Sequence, residues 1–274
     1  MAANRADLER AMRRDVAEFN AGRAKEAEAA CRDLLRIAPA DPAASHLLAA
    51  ILLKAGNAAE AREHIRRSLH HRPEHFPARL LATRVFQATG EHADMLGQAE
   101  RAAALDPASA EAHYFRGQAL YALGRLGEAA EALARAGSLE PRSKETRYAL
   151  GLVHRAAQRL DAARDALSAA TALDPRFDAA WFALGLVQQD LGDFAGAAVS
   201  FRTALQVRPD YAEAALNLGI VLQEAGAFDE AVEAYRLALR LRPANFGRIA
   251  QSLTSSPRGA LWLDLEALRR HLSA

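Results

Sequence analysis

Of the chain's 274 residues 51% are apolar, 25% charged and 6% aromatic, a helix-forming mixture with enough apolar side chains for a continuous core. A formal charge of +1 excludes the strong field that draws basic proteins non-specifically onto nucleic acid or anionic lipid. A single cysteine, Cys31, excludes an intramolecular disulfide framework and a cysteine-based zinc site.

The first 19 residues carry charges every few positions and no apolar run, so they read as neither a secretory signal nor a membrane anchor. No stretch approaches the roughly 18 apolar residues of a spanning helix. A cytoplasmic location is expected, with neither membrane nor nucleic acid as partner.

Seven prolines then set a ruler: Pro39, Pro73, Pro107, Pro141, Pro175, Pro209 and Pro243 follow one another at intervals of 34 residues. A fixed period of this length marks a solenoid of stacked small units. Taking each proline as position 32 divides the chain into units 8–41, 42–75, 76–109, 110–143, 144–177, 178–211 and 212–245. Position 15 reads Gly22, Gly56, Gly90, Gly124, Gln158, Gly192 and Gly226, glycine where a helix ends in a left-handed residue. Each unit is therefore helix, turn, helix, turn, with the proline ending the second helix.

Within each unit, position 8 is glycine in units four to seven (Gly117, Gly151, Gly185, Gly219) and position 20 is alanine in all but unit three. Large residues fill position 24 in most units, so large meets small across each seam. Asp41, Ser109, Ser143 and Asn245 stand two residues after a proline as caps for the next helix. Unit one carries Arg14 and Asp15 at inward positions and reads as an end cap, while unit three, with Thr83, Met95 and Ala99, departs from the size pattern.

These columns resemble the tetratricopeptide repeat family. In unit six Trp181, Leu184, Gly185, Ala197, Phe201 and Pro209 occupy the family's W, L, G, A, F and P positions, with Gln188 where tyrosine is usual. The resemblance implies an all-α, right-handed α-solenoid of stacked helix-turn-helix hairpins over residues 1–245, and 246–274 as a carboxyl-terminal cap. The cap comprises a further first helix, Phe246 to Leu253, a breaker, and a closing segment whose Leu261, Trp262, Leu265, Leu268 and Leu272 form a stripe at helical spacing. That stripe either covers unit seven or docks a second domain or copy.

Function is expected on the first helices, whose positions 2, 5, 9, 12 and 13 form one stripe. In the resembled family this stripe lines a concave groove. Here it places Tyr114, Gln118 and Tyr121 in unit four, Tyr148, Leu152 and Arg155 in unit five, Phe182, Leu186, Gln189 and Asp190 in unit six, and Glu213, Gln223 and Glu224 in unit seven. Tyr114, Tyr121, Tyr148, Phe182 and Leu186 are the expected anchors, because aromatic residues with a polar tip suit interfaces. Gln118, Gln189, Gln223 and Arg155 are expected to hydrogen-bond a peptide backbone. The alternative is that Tyr114 and Tyr148 pack as part of the wall. From Asp178 to Tyr235 there are nine acidic residues and two arginines, so Asp190, Glu213 and Glu224 would give one end a negative character that fits a basic partner segment.

The lysine, asparagine and arginine clamp with which some family members bind EEVD-type peptides is absent: its positions hold Met12, Val16, Leu47, Pro77 and Leu81. Phosphate-binding, zinc-protease, nucleophile-elbow and calcium-loop motifs are likewise absent. His70, His71 and His75 lack a carboxylate or cysteine at ligand spacing, so neither metal nor cofactor is expected. The reading is a non-enzymatic scaffold or adaptor that binds a peptide or helix of another protein. Its alternatives are a substrate-recruiting or regulatory module of a bacterial transferase or oxygenase system, and a scaffold that self-assembles through its end repeats.

Overall fold

The computed structural model describes residues 22–255, in which there are fourteen α-helices, one 3-10 turn and no strand. The expectations for Met12, Arg14, Asp15, Val16 and the Trp262 stripe lie outside the described residues. The chain divides into two compact units, Met1–Glu140 and Pro141–Ala274. The first holds α1 (Ala24–Ile37), α2 (Pro42–Lys54), α3 (Ala58–His71), α4 (Phe76–Thr89), α5 (His92–Leu105), α6 (Ala110–Ala122) and α7 (Leu126–Leu139). The second holds α8 (Lys144–Ala156), α9 (Leu160–Leu173), α10 (Asp178–Asp190), α11 (Phe194–Val207), α12 (Ala212–Glu224), α13 (Phe228–Leu241), the 3-10 turn Pro243–Asn245 and α14 (Phe246–Ser255). Within each unit successive helices pack on one another as hairpins. The architecture is all-α, of the stacked-hairpin solenoid class.

Each second helix stops two residues short of its proline, as at His71 before Pro73 and Val207 before Pro209. The position 15 column is left-handed throughout: its six glycines have φ between 75° and 83°, and Gln158, the only other described residue with positive φ, has 58°. A side chain in this region is disfavoured by roughly 1 kcal/mol or more. Gln158→Gly is therefore expected to raise stability by about 0.5–1 kcal/mol, read as a higher denaturation midpoint. An unchanged or lower midpoint would show that the turn holds no such strain.

Close approach governs the seams. A Cβ at Gly117 would lie 2.5 Å from Leu133, at Gly151 2.5 Å from Leu167, at Gly185 2.6 Å from Phe201 and at Gly219 2.5 Å from Tyr235. The large partner thus occupies the space that glycine vacates, and all four partners are fully buried. In the third repeat the sizes are redistributed: Thr83 replaces glycine, Ala99 replaces the large residue, and Met95 fills in, all three buried.

Three expected caps form: Asp41 accepts from Ala43 and Ala44, Ser109 from Ala112 and Ser143 from Thr146. Asn245 does not. It is buried, and its Nδ2 donates to the carbonyl of Ala238 at 3.2 Å, tying the 3-10 turn to α13. Beyond it α14 lays Ile249, Ala250 and Leu253 into the same core as Phe201, Leu222 and Tyr235. A buried polar network locks this docking: the Tyr235 hydroxyl donates to Gln223 Oε1 and meets Ser252 Oγ, each at 2.9 Å, and Gln223 Nε2 donates to the Ser252 carbonyl at 3.0 Å. Burial pushes the Tyr235 phenol up to about 12.

Candidate functional site

In the second compact unit the stripe carries more aromatic surface than its own positions supply. Tyr148 on α8 stacks at 5.0 Å on Phe177, the residue before α10, and Phe182 on α10 lies 4.8 Å from Tyr211, the residue before α12. The two ring pairs thus repeat one arrangement on successive first helices. Each of the four rings is half-buried. Each pair has one cation over a ring. Lys144 sits 5.4 Å over Phe177 while bonding Asp174 at 2.5 Å, and Arg208 stacks 3.3 Å over Tyr211 while bonding Asp178 at 3.1 Å. Ring faces carry negative charge density and attract such cations, which pre-orients the rings.

Phe177 and Tyr211 are missing from the first-helix stripe because they precede the next helix, at position 34. A signal was present: each follows its position 5 partner by 29 residues.

The other expected residues of this unit fall into two groups. Leu152 and Leu186 are half-buried beside the rings and pack on the core, so they extend the apolar surface. The polar residues are engaged or covered. Arg155 Nε donates to Asp190 Oδ2 at 2.7 Å, linking α8 to α10, and Glu213 is paired with Arg242. Gln189 keeps its Oε1 buried without a hydrogen-bond partner, and Glu224 is half-buried. Gln223 departs most from expectation: it is 1% exposed and its amide serves Tyr235 and Ser252, because α14 covers it. Asp190 and Glu213 thus each hold an ion pair while their side chains stay 38% and 37% exposed.

In the first compact unit, Gln118 Nε2 donates to the Tyr114 hydroxyl at 2.6 Å, and Gln87 Nε2 on α4 donates to Gln118 Oε1 at 2.7 Å. Arg84 of α4 likewise bonds Glu111 of α6. This polar ladder joins neighbouring first helices and uses the Gln118 amide at both ends. Tyr121 remains the outward-facing aromatic, 39% exposed.

The 29-residue pairing recurs in unit two with histidines: His46 and His75 meet edge-to-face with centroids 5.5 Å apart. His75 is thus drawn to His46, and no group of three metal-ligating side chains is present among the described residues. Burial, and then the charge of His75, lowers His46 to about 4; burial and Arg72 lower His75. Both imidazoles accept a proton near pH 6.5 when unfolded, so acid favours the unfolded chain. Stability is expected to be full above about pH 6.5 and to fall toward pH 4, approaching about 1.4 kcal/mol per pH unit for His46. His46→Phe should flatten that acid limb in denaturant titrations, and an unchanged limb would locate the sensitivity elsewhere.

A depression of about 630 Å³ lies on α12 and α13, lined by Leu218, Leu222, Val232 and Leu237 and rimmed by the Arg202–Glu230 ion pair. No described helix is long and apolar enough to cross a membrane.

Stacked helical hairpins with glycine-closed seams and an aromatic first-helix face define a repeat protein of the interaction class. Residues 183–246 match the tetratricopeptide repeat model, and residues 33–190, more than half of the chain, match the model described as T7SS, ESX-1 secretion system protein EccA1, N-terminal domain. The chain belongs to the tetratricopeptide repeat family and, through residues 33–190, to the EccA1 N-terminal domain family. No curated protein matches it. Among solved structures it is similar to YrrB, described as a tetratricopeptide protein with an unusual peptide-binding site, at 19% identity and TM-score 0.59, covering 70% of this chain and 98% of that one. Pseudomonas aeruginosa PilF is 23% identical with TM-score 0.63, covering 74% and 92%. The carboxyl-terminal part of a tetratricopeptide protein from Cytophaga hutchinsonii is 14% identical with TM-score 0.68, covering 88% and 99%. At these identities the structures establish the fold.

Proposed function

We propose that the chain is a non-catalytic scaffold that holds a peptide or short helix of a partner protein on its first-helix face. The observation that carries this reading is the repeated half-buried ring pair, Tyr148 with Phe177 and Phe182 with Tyr211, each with a cation, Lys144 or Arg208, over one ring. Aromatic surface already ordered in the free protein loses little entropy on binding, and that raises affinity. The peptide-binding site ascribed to YrrB supports the reading by analogy of fold. Leu152 and Leu186 extend the contact, and Tyr114 and Tyr121 offer a further aromatic surface on α6. The ion pairs of Asp190 and Glu213 make apolar anchoring the main source of affinity and give a basic segment a secondary part. The seven-unit division, with 246–274 as cap, belongs to this proposal, as does a bacterial cytoplasmic setting.

A second reading is favoured by one finding. The matched EccA1 family is described as the N-terminal domain of a secretion-system protein, which fits a recruiting module that works beside another domain.

Partner capture from lysate tests the aromatic face as the docking surface, which both readings use. Intact protein should retain a partner that a Tyr148→Ala/Phe182→Ala variant, shown by circular dichroism to be folded, releases. Equal retention by both would refute the aromatic face as the docking surface. A mass that rises with protein concentration in the absence of partner would indicate self-assembly instead.

A further inference from the structure

Arg79, in the first turn of α4, is 3% exposed. Its Nη1 donates to the amide oxygen of Gln98 on α5 at 2.5 Å, and its Nε is buried without any hydrogen-bond partner. No carboxylate reaches it: Glu74 acts on it from a distance, and its other charged neighbour is Arg101, of the same sign. A buried guanidinium normally has a paired anion, because desolvating the charge is otherwise expensive. The position makes this worse, since a helix amino terminus already bears partial positive charge.

The same register position in other repeats behaves differently. Trp181 Nε1 donates to the carbonyl of Pro175 at 3.0 Å, and a ring nitrogen of His113 lies 3.2 Å from that of Pro107. Arg79 turns instead toward α5 and meets a neutral amide. Gln98 has the shape of a glutamate without its charge, and it is only half-buried, with the exposed Arg101 three residues on.

We propose that Arg79, Gln98 and Arg101 form a carboxylate-binding site between α4 and α5, separate from the aromatic face. The entering carboxylate displaces the Gln98 amide, accepts the fork of N–H groups of Arg79 and is flanked by Arg101. A planar two-oxygen anion matches the guanidinium fork and the size of the amide it replaces. It can come from a free carboxylate or from an acidic side chain of a partner.

The test compares thermal midpoints of the full chain in sodium acetate, sodium phosphate and sodium chloride at equal ionic strength. Acetate should raise the midpoint of the natural protein by a few degrees over chloride, by mass action on the folded state. The gain should vanish in Arg79→Met, which removes the charge, and in Gln98→Glu, which supplies the carboxylate internally and should itself raise the midpoint in chloride. N-acetyl-glutamate amide, a mimic of an acidic side chain, distinguishes the sources: a larger gain than acetate's at equal concentration points to a protein ligand, and an equal gain to a free carboxylate. The proposal fails if acetate acts no better than chloride, if the gain persists in both variants, or if phosphate alone produces it.

Discussion

Replacing Gly219 by valine is expected to destabilise the second compact unit by about 2–3 kcal/mol or more. The new Cβ would stand 2.5 Å from two carbons of the Tyr235 ring, which is fully buried and anchored through its hydroxyl. Overpacking a core in this way typically costs about 1–3 kcal/mol, and a ring held at both ends has few ways to yield. Gly127 and Gly97 are helical glycines with open space at the Cβ position, so Gly127→Ala should gain about 0.5–1 kcal/mol from helix propensity alone. At Gly185 the clash is with Phe201, and Gly185→Ala should be partly rescued by Phe201→Leu. Denaturant midpoints of these variants decide the matter. Equal midpoints for Gly219→Val and Gly127→Ala would contradict the glycine-closed seam.

Tyr235→Phe is the second large effect. It removes one hydroxyl but leaves Gln223 Oε1 without its donor, and Ser252 Oγ loses its neighbour in the same covered space. Leaving buried polar groups unpaired costs about 1–3 kcal/mol, whereas removing both members of a pair can be nearly neutral. Tyr235→Phe/Gln223→Leu should therefore recover part of the loss, and the double-mutant cycle should show coupling. Simple addition of the two single losses would mean that the network holds α14 no more firmly than its apolar contacts do. An ultraviolet titration supplies an independent reading, since burial places this phenol near 12.

Much of the fold was legible because its determinants are local and repeated. A proline fixes its own φ and disfavours helix in the residue before it, and a glycine column marks six of the seven left-handed turns among the described residues, so hairpins follow from a count of 34. Even the exception at Gln158 kept the left-handed turn, at φ 58°. The candidate site was legible in part. Position 5 supplied Tyr148 and Phe182, but their stacking partners Phe177 and Tyr211 lie at the mouth of the next helix, outside any single-helix stripe. Contacts that depend on a later element were hidden. Gln223 shares the stripe's register with Arg155 yet is buried, because α14 closes over it. Asp190 and Glu213 looked like free negative charge until Arg155 and Arg242 came within reach. Asn245 has the chemistry of a helix cap, but its side chain turns back to α13.

On the proposed function the two ring pairs, Tyr148 with Phe177 and Phe182 with Tyr211, grip a peptide. The most direct measurement is calorimetric titration of peptides selected from a random display library on the intact protein. Binding should weaken at least 10-fold on Phe182→Ala and on Tyr211→Ala, as expected when an anchor contributing about 1.5 kcal/mol or more is lost. Val199→Ala, at an exposed position of the second helix α11, should leave it within about 2-fold. Unchanged affinity in the Phe182 and Tyr211 variants, both shown to be folded, would place the binding surface elsewhere.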